Sequence, residues 1–503
     1  MHKIPNPVVY GRTILLVVQS GFGARYLLRT DILSALRRAG VRPVILTPNA
    51  SEEYFRKEFI DCDVVVEKLQ ADACARYIKG SRVQKILRRV RLQSQRLPEA
   101  NVTIGMARKL LRDTGGAVGL ATRMYLKIED AMVWLVSRFK ILRRLMTWTE
   151  QHLFVGHFHR DIFEKYRPAV VVTTSLGYWH PDEFVMREAR YHKARVVPVI
   201  LSWDNTSSYG MAAVPPDYTI AWTEVMKREL VDYHDMPPER VFVGGVAHFD
   251  MYHYPKQLMP RETLCLRFGL EPSQKILFFA TKSPNSYPWN SDVVEQLAQA
   301  VERNEFDSPC QILVRLHPIY YRYRNGDLVY QAEHDKLERL AARYPFVRIN
   351  HPEIISQTLS MDSSRDEMIL LGSILKNAHV LINLFSTVSI EASIFDLPVV
   401  NVAYEGDPRL KRKPRDSIDF DEAQTHNQRV IRTGGVSMAR NPSELIKYIN
   451  AYLKNPRQDQ QGRMSIRNQE CGPFPGRAGE TIGGFLADLA HQNSSTQTGG
   501  AVS

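Results

Sequence analysis

The chain has 503 residues, too many for one ordinary hydrophobic core, so we expect two domains. Apolar residues at 44% and charged residues at 24% are typical of a globular protein, and no apolar run approaches the roughly 20 residues of a membrane-spanning helix. The net charge of +12 is concentrated in residues 82–144, where fifteen Lys and Arg oppose four Asp and Glu.

The N-terminal segment MHKIPNPVVYGRT lacks the apolar stretch and cleavage site of a signal peptide. The cysteines are odd in number, scattered and never in CxxC spacing: Cys62, Cys74, Cys265, Cys310 and Cys471. This pattern argues against a disulfide framework or a zinc site and fits a reducing compartment. We therefore expect a cytoplasmic protein, which could also lie peripherally on the inner face of the cytoplasmic membrane through its basic segment.

The predicted elements of the first half alternate between strands and helices, as in parallel sheets with crossover helices. Strands are predicted at residues 13–18, 43–46, 62–66, 169–173, 195–201, 218–221 and 241–243, and a helix at 27–39. Residues 71–165, the basic insertion, interrupt this alternation with a mostly helical pattern. Pro255 and Pro260 bracket a linker between domains.

The alternation starts again in the second half. Strands are predicted at residues 275–280, 311–316, 346–349, 379–384 and 398–402, and helices at 442–453 and 479–490. We predict an α/β fold of two Rossmann-like domains, 1–255 and 256–475, facing each other across a cleft. A terminal helix, 476–491, could cross back to the first domain, and 492–503 has the polar composition of a disordered tail.

Functional residues are sought in the loops that follow strands, because ligands of open parallel sheets bind at the carboxyl ends of the strands. In LINLFSTVSIEASIFDLPVV, a strand ends and a helix begins near Ser386 or Thr387. The free N–H groups of that helix start predict a phosphate site. Glu391, one turn further on, could accept hydrogen bonds from a ribose diol. The alternative is an ordinary helix cap with an acid in its first turn.

A second motif, RLHPIYYR, places His317 just after a strand, with Pro318 preventing the strand from continuing. An imidazole there could donate to a donor phosphate and, when protonated, could stabilise charge on a leaving nucleotide. Arg315 is a further phosphate candidate, and Thr281 and Lys282 could contact the donor. A hydrogen-bonded structural histidine is the alternative.

Two candidates for a general base follow strands of the first half. Asp204, in ILSWDNTSSYG, should face the cleft, where a carboxylate could deprotonate a hydroxyl, although it could instead build an Asx turn. His180, in TSLGYWHP, is its rival.

The first βα loop, QSGFGARYLLRT, contains candidate acceptor-binding residues: Gly21, Gly23, Arg25 and Arg29. The glycines permit close backbone approach, and the arginines could meet phosphate, although the loop lacks the GxGxxG pattern. Because no DxD-type acidic pair follows a strand, we predict no essential metal and no cofactor.

The basic insertion alternates apolar and cationic residues at near-helical spacing, with Trp134, Phe139 and Trp148 available for an interface. Such helices could bind an anionic membrane surface, or could be a solvated basic face packed on the domain. No recognition motif for nucleic acid accompanies the charge.

These motifs resemble those of bacterial transferases of surface polysaccharide assembly that have the two-domain GT-B fold. The chain looks like capsule Kdo-transferases and CDP-glycerol glycerophosphotransferases and, more distantly, HP-motif sialyltransferases. The resemblance is carried by RLHP at 315–318, STVSIEA at 386–392, DLPVV at 396–400 and GRAGETI at 476–482. SWDNTSS and residues 223–250 are similar to their N-terminal domains.

The resemblance implies that His317 contacts the nucleotide phosphates and that Ser386, Thr387 and Glu391 hold phosphate and ribose. It also implies a lipid-linked or polysaccharide acceptor and a cytidine or uridine nucleotide donor. The glycerophosphotransferases have a His-Gly turn where this sequence has Asp204-Asn205.

Three functions are therefore considered. A metal-independent glycosyltransferase or polyol-phosphate transferase is favoured, because the basic insertion suits a lipid-linked or polymeric acceptor. A nucleotide-sugar 2-epimerase would share the two-domain fold and the Ser and Glu turn without needing the insertion. A non-catalytic nucleotide-sugar-binding protein is the third alternative, against which His317 and Glu391 speak.

Overall fold

The computed structural model describes residues 12–60, 64–97, 101–113, 120–324, 326–356, 359, 361–407 and 416–492. The expected tail from residue 493 onward and Cys62, at the start of a predicted strand, lie outside this part of the chain. Parallel sheets with crossover helices occupy both halves, which confirms the predicted α/β class and its GT-B-like two-domain arrangement.

The first sheet is built from strands that are buried almost throughout, as expected for a parallel sheet covered on both faces. Its strands are β1 (Arg12–Val17), β2 (Val41–Thr47), β3 (Val65–Lys68), β4 (Val170–Thr173) and β5 (Arg195–Pro198). They pair in parallel in the order β3-β2-β1-β4-β5. A parallel pair, β6 (Thr219–Ala221) and β7 (Val241–Val243), adjoins β5 through a bridge between Val199 and Ile220.

The second sheet has the order β12-β9-β8-β13-β14-β15, again with every pair parallel. The strands of this half, including a small hairpin of β10 and β11, are β8 (Lys275–Ala280), β9 (Cys310–Arg315), β10 (Tyr323–Arg324), β11 (Asp327–Leu328), β12 (Val347–Asn350), β13 (Val380–Asn383), β14 (Val399–Val402) and β15 (Ser437–Ala439). The chain order reverses between β8 and β13, where a ligand is expected to bind.

Helices cover both sheets. Those of the first half are α1 (Gly21–Leu27), α2 (Asp31–Arg38), α3 (Glu53–Ile60), α4 (Ala71–Gly80), α5 (Arg82–Gln93), α6 (Val102–Asp113), α7 (Leu120–Arg138), α8 (Lys140–Leu153), α9 (Arg160–Tyr166), α10 (His180–Tyr191), α11 (Asn205–Ser208) and α12 (Glu224–His234). Those of the second half are α13 (Arg261–Phe268), α14 (Asn290–Glu302), α15 (Gln331–Arg343), α16 (Arg365–Asn377), α17 (Val388–Ile394), α18 (Ile418–Ala423), α19 (Thr425–Arg432), α20 (Pro442–Lys454), α21 (Gln460–Glu470) and α22 (Ala478–His491).

The helix predicted at residues 27–39 corresponds to α2, which begins at Asp31, and residues 21–27, predicted as part of a loop, form the separate helix α1. Thr30 has an extended backbone and caps α2, because its side chain accepts a hydrogen bond from the Ile32 N–H. The same hydroxyl donates to the Tyr26 carbonyl at 2.7 Å near the end of α1. The Thr-Asp pair at 30–31 is therefore a helix start rather than part of a helix interior.

The basic insertion is attached to the first domain by buried ion pairs. Arg91 is fully buried and lies 2.5 Å from both Glu150 and Glu183, on α8 and α10. It also donates to the carbonyl of Met211 at 3.0 Å. Removing one partner would leave a buried charge without compensation. Arg91 therefore has a structural role and cannot also bind an external anion.

The last helix, α22, packs against α2 of the first half rather than against the second sheet. Asp250 caps it by accepting hydrogen bonds from the N–H groups of Ala478 and Gly479 at 3.0 and 2.7 Å. Gly483 of α22 leaves no room for a side chain, because an added Cβ would lie 2.6 Å from Ala35. The domain boundaries at residues 255 and 475 remain predictions.

Candidate functional site

The carboxyl edge of the second sheet brings three predicted residues together at the reversal of strand order. Thr281 follows β8, His317 follows β9, and Ser386 follows β13, and these strands are neighbours in the order β9-β8-β13. Because adjacent strands are about 4.8 Å apart, the ends of β9 and β13 are separated by about 10 Å. The edge is therefore wide enough for a group the size of a diphosphate.

The turn after β9 fixes the imidazole of His317. The Thr281 side-chain oxygen accepts from the His317 N–H at 2.8 Å, and Nδ1 of His317 accepts from the Ile319 N–H at 3.2 Å. Burial, with smaller contributions from Arg315 and Lys282, lowers the pKa of His317 to about 4. The ring is therefore neutral near pH 7, with its proton on Nε2. It can donate one hydrogen bond to a phosphate but does not supply the positive charge that the sequence suggested.

The turn after β13 presents backbone N–H groups. Phe385 has φ of 47°, a left-handed conformation that non-glycine residues seldom adopt and that is found at ligand sites. Thr387 occupies the cap position of α17 without a side-chain capping bond, and Ser386 accepts instead from the Val388 N–H at 3.4 Å. Among the described residues nothing accepts from the N–H groups of Ser386 and Thr387. Two amide donors therefore face the same edge as His317.

Glu391 is a buried carboxylate on α17. It accepts a hydrogen bond from the Tyr252 hydroxyl at 2.5 Å. Burial raises its pKa, and Arg25, the Tyr252 bond and Arg315 oppose that increase. The sequence analysis missed Tyr252 because no motif marks it. It is 139 positions from Glu391 in the sequence, and only folding brings the two side chains together.

Arg25 reaches this group from the first domain. Its charge acts on Glu391 and Tyr252, while its Nε is shielded from solvent and lacks a hydrogen-bond partner among the described residues. Its guanidinium also lies 5.0 Å from the centre of the Phe22 ring. A half-buried cation with an unsatisfied donor, close enough to act on Glu391, is suited to an anionic ligand.

The other predicted cations of the second domain are already paired. Arg315 contacts Asn350 at 2.5 Å and Glu367 at 2.8 Å, and Lys282 pairs with Asp421. Both still add positive charge near His317, as their effect on its pKa shows. They are positioned to strengthen the local field rather than to bind a ligand without rearrangement.

Asp204 lies against the second domain beside His426. Ser202 and Asn205 donate hydrogen bonds to its Oδ1, and it occupies the cap position of α11 without a capping bond. Burial lowers the pKa of His426 to about 4, with Arg429 and Lys282 acting in the same direction and Asp204 against it. The Ser207 hydroxyl is 3.3 Å from His426 Nδ1. A carboxylate and a neutral imidazole thus meet where the two domains touch.

His180 is placed at the start of α10, next to the basic insertion. Its Nδ1 is 3.7 Å from Glu183, the carboxylate that also pairs with Arg88 and Arg91. The structure therefore associates His180 with the Arg and Glu network of the insertion, whereas Asp204 lies between Trp203 and Ser207, which both contact His426 of the second domain.

Gly21, Gly23 and Arg29 make packing and ion-pair contacts. A Cβ on Gly21 would lie 2.3 Å from the backbone of Asp362, and one on Gly23 would lie 2.9 Å from Thr174. Arg29 is buried between Glu58, at 2.7 Å, and Asp362, at 2.5 Å. Gly21 and Arg29 therefore join the first domain to the 361–362 segment of the second, whereas Gly23 packs within the first domain. The prediction that these residues bind an acceptor substrate depended on the transferase activity.

A possible metal-binding group lies beyond β12. Within the described part of the chain, ligand atoms of His334, Glu338 and His351 lie within 4.8 Å of one another. The sequence prediction of no metal rested on acidic pairs after strands, and these residues come together only because α15 packs beside the end of β12.

The two neutral histidines of the cleft predict an acid-sensitive fold. The pKa of each is about 4 in the folded protein, against about 6.5 for an unfolded histidine. Between these values the unfolded chain binds more protons, so the free energy of unfolding should fall as the pH drops, by up to about 1.4 kcal/mol per pH unit for each ring. Urea unfolding at about pH 7 and about pH 5 measures this loss.

The substitution His426→Gln should reduce the loss between these pH values, because glutamine does not titrate. The matched change at the exposed His152, His152→Gln, should leave it unaltered. An equal pH dependence in the two variants would contradict the assignment to His426.

No protein-family model matches the chain, and no curated protein matches its sequence. Solved structures do share its fold over almost the whole length. UDP-GlcNAc 2-epimerase from Neisseria meningitidis, bound to UDP-GlcNAc, is 10% identical with a TM-score of 0.51, covering 95% of this chain and 99% of that one. The Methanocaldococcus jannaschii UDP-GlcNAc 2-epimerase is 12% identical with a TM-score of 0.50, at the same coverage. The S. aureus MnaA–UDP structure is 9% identical with a TM-score of 0.50, covering 93% and 94%.

These comparisons overturn the transferase prediction. The structures from Neisseria meningitidis and Methanocaldococcus jannaschii are UDP-GlcNAc 2-epimerases, so the expected glycosyltransferase or polyol-phosphate transferase activity, with its role in capsule or surface-polysaccharide assembly, is wrong. The capsule Kdo-transferase and glycerophosphotransferase families receive no support either. The two-domain GT-B-like fold that the resemblance implied is confirmed.

None of the described helices combines the length and the apolar character that crossing a membrane would require.

Proposed function

We propose that the chain is a nucleotide-sugar enzyme of the UDP-GlcNAc 2-epimerase type. The observation that carries this proposal is that His317 and the free amides of Ser386 and Thr387 follow neighbouring strands at one sheet edge, while Arg25 of the opposite domain acts on Glu391 of the helix that begins there. We propose that a diphosphate binds between these groups. The shared fold with UDP-GlcNAc 2-epimerases supports the choice of UDP-GlcNAc as substrate.

In the proposed complex, the diphosphate accepts hydrogen bonds from the two amides, from His317 Nε2 and from Arg25. Glu391 already holds the Tyr252 hydroxyl with Oε2, so Oε1 is the atom proposed to accept from a ribose hydroxyl. Lys282 and Arg315 add positive charge without leaving their partners. Such donors and cations stabilise the nucleotide most when negative charge develops on it.

In the proposed reaction, the proton leaves carbon 2 while the bond between carbon 1 and the nucleotide oxygen breaks, so the electron pair forms a C1–C2 double bond and UDP carries the negative charge. Return of UDP to carbon 1 and of a proton to the opposite face of carbon 2 balances the reaction without a second substrate. A carboxylate within reach of the sugar can take the proton. Asp204 is proposed for this role because it faces the second domain beside the neutral His426. His426 is proposed to relay the proton, since a neutral imidazole has one N–H that donates and one nitrogen that accepts a proton.

The test is incubation with UDP-GlcNAc in D₂O, followed by proton NMR. The proposal expects UDP-N-acetylmannosamine to form, with solvent deuterium at carbon 2 of both sugars. UDP-glucose, which lacks the acetamido group, is the control substrate in the same experiment. Stabilisation of the protein by UDP without deuterium uptake would instead favour a non-catalytic nucleotide-sugar-binding protein.

The basic insertion supports a further part of the proposal, an anionic membrane surface as partner. Ile141, Leu145 and Trp148 repeat at helical spacing on one face of α8 and are 75%, 55% and 54% exposed. They line a cavity of about 620 Å³, together with Lys140 and Arg144. Neither cation has an ion pair among the described residues. Exposed apolar side chains flanked by unpaired cations match an anionic lipid surface.

Flotation with vesicles of phosphatidylcholine, with and without phosphatidylglycerol, checks this partner. The protein should float only with the anionic lipid. The double substitution Lys140→Gln and Arg144→Gln should weaken binding, because each cation near the surface contributes about 1 kcal/mol, or about fivefold. The control is Leu266→Ser, at an exposed leucine of α13. Equal recovery with both lipids would end the membrane proposal.

A further inference from the structure

Three side chains from separate parts of the second domain surround a common point outside the nucleotide site. His334 and Glu338 are four residues apart on α15 and so lie on one face of that helix. His351 follows Asn350, the last residue of β12. Nε2 of His334 and Nε2 of His351 lie 3.6 and 3.5 Å from the same atom, Oε1 of Glu338.

These separations are too long for good hydrogen bonds, whose donor–acceptor distances are about 2.7–3.2 Å. They match instead the edges of a tetrahedron around zinc. With bonds of about 2.0–2.2 Å to nitrogen and oxygen, two ligand atoms are roughly 3.3–3.6 Å apart. The Glu338 oxygen is also shielded from solvent and has no hydrogen-bond partner among the described residues. A buried carboxylate oxygen between two imidazole nitrogens calls for a shared cation.

The outer contact of His351 fits the same geometry. Its Nδ1 is 2.5 Å from the Tyr321 hydroxyl, whereas Nδ1 of His334, 3.7 Å from Asp335, is shielded from solvent and has no hydrogen-bond partner among the described residues. With Nε2 of His351 on a metal, its Nδ1 carries the proton and donates it to the Tyr321 oxygen. Metal-binding histidines in proteins are typically oriented by such a bond from the second ring nitrogen.

We propose that His334, Glu338 and His351 form a zinc site that leaves a fourth position for water. Two imidazoles and one carboxylate suit Zn²⁺ better than Mg²⁺ or Ca²⁺, which prefer oxygen ligands. The ion joins α15 to the end of β12. Through Tyr321, it also fastens the short helix Pro318–Tyr321, which begins directly after His317. The zinc site would thus stabilise the structure next to the turn that carries His317, the residue proposed to bind the nucleotide.

The experiment is a zinc titration of the full chain after dialysis against a chelator, in competition with a chromophoric chelator. One ion should bind per chain, with a Kd below micromolar. Glu338→Gln, His334→Gln and His351→Gln should each weaken binding at least tenfold, whereas Glu333→Gln on the same helix and His152→Gln should not. No binding, or equal binding in the His334→Gln/His351→Gln double variant, would overturn the proposal.

Cobalt replaces zinc as a spectroscopic probe on the unsubstituted chain, so the result does not depend on whether variants fold. Visible bands of four-coordinate cobalt without thiolate charge-transfer absorption are expected. Thiolate bands would place the ion on cysteine and overturn the assignment. Neither measurement uses a nucleotide, so failure here leaves the proposed epimerase activity standing.

Discussion

The substitution Arg25→Gln is expected to weaken UDP binding between about tenfold and a hundredfold. A hydrogen bond to a charged group contributes about 1.5–3 kcal/mol, and Arg25, which interacts with Glu391, is the first-domain cation proposed to bind the diphosphate. Isothermal titration with UDP measures the change directly. Glutamine keeps an amide donor but is shorter and uncharged, so the substitution removes both the charge and the reach of the guanidinium.

The matched control for this variant is Arg56→Gln, at an exposed arginine of α3 in the same domain. Its affinity for UDP should equal that of the wild type. Unchanged affinity in Arg25→Gln would show that Arg25 serves only to balance the buried Glu391, and the diphosphate would have to be held by the second domain alone.

The substitution Asp204→Asn is expected to lower turnover by two to four orders of magnitude while UDP affinity stays within about twofold. A positioned general base contributes about 10²- to 10⁴-fold, and asparagine keeps the shape of the side chain without its ability to take a proton. The rate of deuterium uptake at carbon 2 gives the catalytic effect, and titration with UDP gives the binding effect.

Asp232→Asn, at an exposed position on α12, serves as the control and should be fully active. Normal turnover in Asp204→Asn would reject Asp204 as the base. His180 would be the next candidate, although it lies beside Glu183 rather than against the second domain.

Much of the fold could be predicted because buried parallel strands are continuous apolar runs with clear ends. The predicted strand at 275–280 coincides with β8, and that at 346–349 differs from β12 by one residue at each end. The true start of α2, at Asp31 after the break that follows α1, was missed. It depends on the capping bonds of Thr30, which compete with an otherwise continuous helical pattern.

The candidate site was only half predictable. His317 and Ser386 each follow a strand, so sequence order and the rule for parallel sheets place them at one edge. The contacts of Tyr252 and Arg25 with Glu391 depend on how the two domains close, which no local pattern encodes.

The activity was predicted wrongly for a related reason. The HP and Ser-turn motifs describe how a nucleotide is held, and folds that hold the same nucleotide can support different reactions. The basic insertion then shifted the interpretation toward a transferase with a lipid-linked acceptor. Arginines of the insertion such as Arg91 and Arg143 prove to be buried in ion pairs and therefore have a structural role.

The contact between Gly21 and Asp362 has a mechanical consequence. Backbone meets backbone there, next to the buried pair of Arg29 and Asp362, so the two lobes are held together at a point with no side chain between them. A single methyl group at residue 21 would act as a wedge and prop the lobes apart. The approach of the two lobes at this point therefore depends on the absence of a side-chain carbon at residue 21.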